Sequence, residues 1–435
     1  LTEAIEDKRM AKWVTAAEAV AAIEPGAKIV LPPGCGEATA FTTALLEDSE
    51  RLDGCRLYSG LLLGEYPFLA EPHVSRLGYG TWHVMRPARP LIDAGRVDFY
   101  PIRASQVARL LAHASIDVAV VQVSPPDANG YMSVGVSTSY PYPVARSAPV
   151  VIAEVNPRMP RTLGACRLHE SEITYAFEAD HPLVEYRASA PDDLSIRIAG
   201  FVAPLIPDNA ALQIGIGGIP EAILLALRES ARRGLTMFGM GIDGAVDLWE
   251  AGVLATDRPA MIGAELMGTT RLFDWAHENE QCEMRDFAGL FDPAQAKALG
   301  PIISINSTLE IDLWGNANSE VAGSSQVSGV GGSVDFMELA VRSGSGKSIL
   351  ALAATAKNGS VSKIVTRLSG VPYTIPRSAV QWVATEYGVV DLSVLSLDER
   401  AKAMVGLAAP QFRDQLWDDY LALRRQPARP FPATA

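Results

Sequence analysis

Short runs of β-branched residues alternate with longer stretches of helical periodicity along the chain. AKIVL at 27–31, DVAVVQV at 117–123 and PVVIAEV at 149–155 read as strands, and ATAFTTALLEDSERL at 38–52 reads as a helix. That alternation predicts an α/β fold built on mostly parallel sheets. DVAVVQV is apolar at odd and even positions alike, as a central strand covered on both faces would be. One order of elements occurs twice, in AAIEPGAKIVLPPGCGEATAFTTAL at 21–45 and APLIPDNAALQIGIGGIPEAILLAL at 203–227: helix end, proline-led turn, strand, glycine loop, helix. Two such units could resemble each other by chance, but the shared order favours two similar open α/β domains. The polar segment SAPDDLSIR at 189–197 places their boundary, giving an N-terminal domain over 1–190 and a C-terminal one over 191–435. Within the second, MIGAELMG at 261–268 reads as a buried strand with a single carboxylate, Glu265. An ionised carboxylate in an apolar strand is costly, so it is paired, neutralised, or set at a working site.

Composition narrows the partners. With 435 residues and 48% hydrophobic content the chain can fill two cores. A net charge of -13 argues against nucleic acid or an anionic membrane surface as the main partner and favours small molecules. Cys35, Cys55, Cys166 and Cys282 are scattered without a CxxC pair, which fits reduced thiols in a cytoplasm. No apolar run reaches the roughly 18 residues needed to span a bilayer. The six histidines show no ligand spacing, so no metal site is expected.

Several glycine-rich stretches compete for chemistry. GIGGIP at 215–220 follows a strand and opens a helix, where amides and the helix N-terminus meet an anion, although Pro220 stands where a dinucleotide fingerprint has its third glycine. SGSGKS at 343–348 lacks the first glycine of a phosphate loop, since Val341 holds that position, and reads as a flexible turn. SGVGG at 328–332 is another glycine turn leading to a helix, and two such turns can offer amides to one oxyanion. Lys357 and Asn358 in TAKNG fit either a phosphate contact or a solvated turn, the turn being favoured on residue types.

VTAAEAVAAIEPGAKIV, DVAVVQVSPPDANGYMSVGVS, VIAEVNPRMPRTLG, GIGGIPEAILLAL, SINSTLEIDLWGNANSE, SGVGGSVDF, TAKNGSVSKIV and ATEYGVVDL, in that order, resemble the acetyl-CoA hydrolase and 4-hydroxybutyrate CoA-transferase family from about residue 12 to 424. The resemblance implies two similar α/β domains with the active site between them, a homodimer or larger homo-oligomer, and coenzyme A or acyl-CoA as substrate with no tightly bound cofactor. A glutamate of the family attacks the thioester to give a mixed anhydride, then a glutamyl-CoA thioester. Here Gly217, Gly218 and Ile219, and Gly331, Gly332 and Val334, would supply oxyanion or CoA contacts. Lys357 and Asn306 would sit with CoA, and Glu386 of TEYG would support the site.

This chain departs from that pattern at the nucleophile. The family motif reads HTE, two to three residues, then DG, whereas LTMFGMGIDGAVDLWEAG at 235–252, anchored on Asp243–Gly244, puts Gly239 at the glutamate position. Asp292–Pro293 stands where relatives carry Asn-Pro, and Glu265 where they carry an apolar residue before L-M-G. In a parallel sheet the strand holding Glu265 should lie near the one holding Gly239. Glu265 is therefore expected to replace the missing nucleophile or to act as a base, with Gly239 vacating the necessary room and with Asp292 and Glu386 as further polar members of the site; pairing to an arginine or lysine is the structural alternative. The expected activity is CoA transfer between carboxylic acids, or hydrolysis with water as acceptor. Carbon–carbon cleavage of a CoA-bound substrate and a non-catalytic CoA-binding role are the rival readings.

Overall fold

The computed structural model describes residues 10–425. Two large sheets dominate it. The first has eight strands, every pair parallel, with Lys28–Val30 and Val118–Val123 side by side at its centre. From Lys28–Val30 the chain winds outward through Arg56–Ser59, Gly78–Thr81 and Asp98–Phe99; from Val118–Val123 it winds the other way through Val150–Val155 and Tyr175–Glu178, outside which the earlier strand Lys12–Trp13 pairs. Every residue of Val118–Val123 is buried, as its two-sided apolar pattern requires.

The second sheet repeats this plan. Ala211–Ile214 and Ile302–Asn306 lie at the centre. Thr236–Gly241, Met261–Leu266 and Cys282–Met284 follow on one side, and Lys347–Ala351, Trp382–Thr385 and Gly388–Asp391 on the other, only the last pair being antiparallel. In each sheet the winding reverses between the two central strands, and the crevice beyond the carboxyl ends of such strands is where open α/β folds bind ligands.

The helix expected over 38–52 runs only from Thr39 to Glu47. Arg51 turns back instead, its guanidinium donating to the carbonyls of Ile23 (2.7 Å) and Val20 (2.9 Å) at the end of the helix Ala16–Ala21. A cation on unpaired C-terminal carbonyls is favourable, and this tertiary contact outweighs continued helix.

The halves are interlocked. Leu163–Gly164, a two-residue strand from the first half, pairs with Cys282–Met284 and becomes the outer strand of the second sheet. The segment 136–139 runs antiparallel along the end of Met261–Leu266, past the point where Cys282–Met284 stops pairing: Leu266 N–H donates to Val136 O (2.8 Å) and Thr138 N–H to Ala264 O (2.9 Å). No helix among the described residues is long and apolar enough to cross a membrane.

Candidate active site

The carboxyl ends of both sheets open on one cavity of about 190 Å³. Pro33, Leu61, Trp82 and His83 come from loops after strands of the first sheet; Ile214, Gly239, Met240, Glu265 and Asn306 come from strand ends of the second, and Gly331, Gly332 and Phe336 close it. The altered motif and the unexplained carboxylate thus meet. Thr236–Gly241 and Met261–Leu266 are neighbouring parallel strands, with Gly239 opposite Gly263 and Met240 opposite Glu265, the register slipping by one residue between them. Bulges of this kind bend a strand and re-aim the next side chain.

Glu265 has no arginine or lysine partner among the described residues. One oxygen, Oε1, accepts a short hydrogen bond from the Ser139 hydroxyl; the other, Oε2, is buried with no partner among the described residues. Burial pushes its pKa up to about 8, against the opposing pull of the Ser139 and Ser137 hydroxyls. Gly34 allows this close approach: with φ +60, a Cβ there would lie 2.8 Å from Met267 Sδ and 3.5 Å from Glu265 Oε2.

The space beside Gly239 is taken. Gly239 has φ +99, and a Cβ built on it would fall 2.6 Å from Phe336 Cζ. The Phe336 ring packs at 5.7 Å on Phe238 and 5.0 Å on Phe291, so the expected vacancy beside Gly239 is filled by an aromatic side chain.

Other expected residues fall in different places. Gly217, Gly218 and Ile219 line a second cavity of about 400 Å³ with Thr308 and Lys363. The two linings continue each other along the same loops, Ile214–Gly215 into Ile216–Gly217 and Asn306 into Ser307. Gly331 and Gly332 line the Glu265 cavity, while Val334 is fully buried in a core cluster and reaches neither cavity. Asn306 lines the Glu265 cavity and is held by Gln213 (3.2 Å) and Ser304 (3.0 Å). Asp292 caps the helix Pro293–Lys297 through Ala294 N–H (2.9 Å) and lines neither cavity; that amide and the Gln295 amide hold its carboxyl below the usual range. Glu386 accepts from Ala354 N–H (2.8 Å), outside both linings. Lys357 is exposed on the turn between Thr355–Ala356 and Val361–Ser362, where Lys363, beyond the hairpin, faces the second cavity instead. Desolvation lowers the Lys363 pKa, with the Glu386 charge opposing.

Sequence reasoning missed His83, Ser139, Phe336 and Lys363. Burial drives the His83 pKa down to about 4, so its imidazole is neutral near pH 7. It also missed Glu37, a buried carboxyl pushed up to about 7 that accepts the amides of Leu63 and Gly64 and so fixes the loop carrying Leu61. The cysteines are all free and buried, and no metal-binding group of His, Cys, Asp and Glu occurs among the described residues.

The acetyl-CoA hydrolase/transferase N-terminal domain model matches residues 5–185 and the C-terminal domain model residues 268–420. A 4-hydroxybutyrate coenzyme A transferase of Clostridium kluyveri is 36% identical, over 94% of this chain and 97% of its own length. The chain belongs to the acetyl-CoA hydrolase/transferase family. A succinyl-CoA:cyclohexane-1-carboxylate CoA transferase of Geobacter metallireducens is 33% identical over 92% of each chain. Among solved structures, RipA from Yersinia pestis superposes with a TM-score of 0.87 at 31% identity, covering 95% of this chain and 97% of its own. Membership makes this chain an enzyme of acyl-CoA transfer or hydrolysis, with the acyl-CoA as substrate rather than as a resident cofactor.

Proposed function

We propose that the protein transfers CoA between carboxylic acids and that Glu265 has taken over as the attacking carboxylate. The observation that carries this is the Glu265 carboxylate at the cavity wall, beside Gly239, with Oε2 unpartnered and Oε1 held by Ser139. CoA lies in the larger cavity by Gly217–Ile219 and Lys363, and the acyl arm enters the smaller one. Oε2 attacks the thioester carbonyl carbon, the C–S bond breaks, and the CoA thiolate leaves with the bonding pair. The thiolate then attacks the glutamyl carbonyl and expels the first acid as its carboxylate. A second acid reverses both steps. Amides of the turn at Gly331 and Gly332 are the candidate oxyanion donors.

A second reading has a specific observation behind it. A carboxylate whose pKa is raised to about 8 is a better base than an ordinary one, which favours hydrolysis with Glu265 activating water. Incubation with acyl-CoA followed by hydroxylamine or borohydride and peptide mass spectrometry separates the two. A modified Glu265 supports transfer; CoA release with an unmodified Glu265 favours hydrolysis; CoA binding without turnover overturns both. A cytoplasmic location and a homo-oligomeric state complete the proposal, the latter checked by light scattering on the purified chain.

A further inference from the structure

The smaller cavity also discriminates among acyl groups. Its wall is mainly apolar and aromatic, with Trp82 edge-on to Tyr140 at 5.0 Å on one side and Phe291 against Phe336 on the other. Among the described residues, no arginine or lysine lines it. The nearest cations along the bordering segments are engaged elsewhere, Arg103 with Glu338 at 3.1 Å and Arg285 with Glu283 at 2.6 Å. His83, the imidazole in the wall, is neutral, so no positive charge faces the acyl arm, while Glu265 adds a negative one whenever it is ionised. A carboxylate at the far end of an acyl chain would lose its water there without gaining a counter-charge. At about 190 Å³ the space slightly exceeds the roughly 150 Å³ apolar cavity that accommodates one benzene molecule.

We propose that this cavity selects uncharged acyl groups up to about the size of one six-membered ring and rejects those bearing a second carboxylate. The proposal rests on the reading that the acyl arm enters this cavity. Its test compares benzoyl-CoA, isobutyryl-CoA and succinyl-CoA as donors to acetate, alongside calorimetric affinities for two unreactive thioethers, benzyl-CoA and 3-carboxypropyl-CoA. Benzoyl-CoA is expected to exceed succinyl-CoA in kcat/KM by about a hundredfold, the size of effect an unpartnered buried charge produces. Phe291→Arg, which brings a cation to the wall, is expected to narrow that ratio at least tenfold. Phe291→Trp, which fills space, should depress benzoyl transfer relative to isobutyryl transfer. Equal or better use of succinyl-CoA by the unmodified enzyme overturns the selectivity while leaving the transferase reading intact. If no donor is turned over, the transferase reading fails and the thioethers decide alone: tighter benzyl-CoA supports the proposal, and equal or tighter carboxypropyl-CoA overturns it.

Discussion

The two sheets wind outward in the same order from their central strands, but the second strand of each outward run ends differently: Gly78–Thr81 delivers Trp82 and His83 to the cavity, whereas Met261–Leu266 delivers Glu265. The first half contributes one aromatic pair, Trp82 and Tyr140, and a neutral imidazole, facing the Phe291–Phe336 pair of the second. The second contributes the carboxylate and the glycine turn at 331–332. Equivalent positions in a repeated architecture have thus become unequal in charge. The division is incomplete at one point, because Ser139 of the first half donates to Glu265.

The comparison breaks most visibly if Glu265→Gln retains activity. Its turnover is expected to fall at least about a thousandfold with CoA affinity kept within a few fold, as measured by steady-state kinetics and calorimetry. Next in size is Gly239→Glu, which puts a glutamate where the resemblance leads one to expect it. It must displace the Phe336 ring and adopt a left-handed backbone, so we expect a loss of about 2–4 kcal/mol, read as a lower thermal midpoint. Adding Phe336→Ala should relieve the clash, and transferase activity in a Glu265→Gln background would show that the original position still works.

The pH dependence sharpens the assignment. If the ionised form reacts, kcat/KM should climb about tenfold per pH unit up to about 8 and then level. Stability runs the other way. The folded state holds the Glu265 proton up to about pH 8 while the unfolded chain releases it near 4.5, so this group's stabilising contribution is full below 4.5 and is lost as pH rises through about 8. Glu265→Gln should accordingly raise the thermal midpoint at pH 9 while removing activity. Ser139→Ala, a first-half change, should only move the activity inflection upward, because it removes the hydroxyl that favours the carboxylate. Smallest is the lysine pair: Lys363→Ala is expected to raise the KM for acyl-CoA several-fold, and Lys357→Ala to leave it within about twofold.

What could be read from the residues followed local rules. DVAVVQV and MIGAELMG announced buried strands by pattern, and the nearness of Glu265 to Gly239 followed from how parallel strands succeed one another. What could not be read depended on distant partners. The helix end at Glu47 is set by carbonyls about thirty positions earlier that Arg51 seeks out. Phe336 sits almost a hundred positions from Gly239 in the chain, and nothing local in SVDF says that its ring occupies the place a glutamate would take. Lys357 and Lys363 are equally basic in sequence; only the hairpin between them decides which meets the cavity.

The short strand Leu163–Gly164 has a consequence for how the molecule comes apart. Because it belongs to the first half by chain order and to the second sheet by hydrogen bonding, the first half cannot melt without stripping the outer strand from the second sheet. Unfolding should therefore be a single concerted event, and a chain cut near residue 190 would leave the second sheet with a raw edge at Cys282–Met284, inviting strand addition from another molecule.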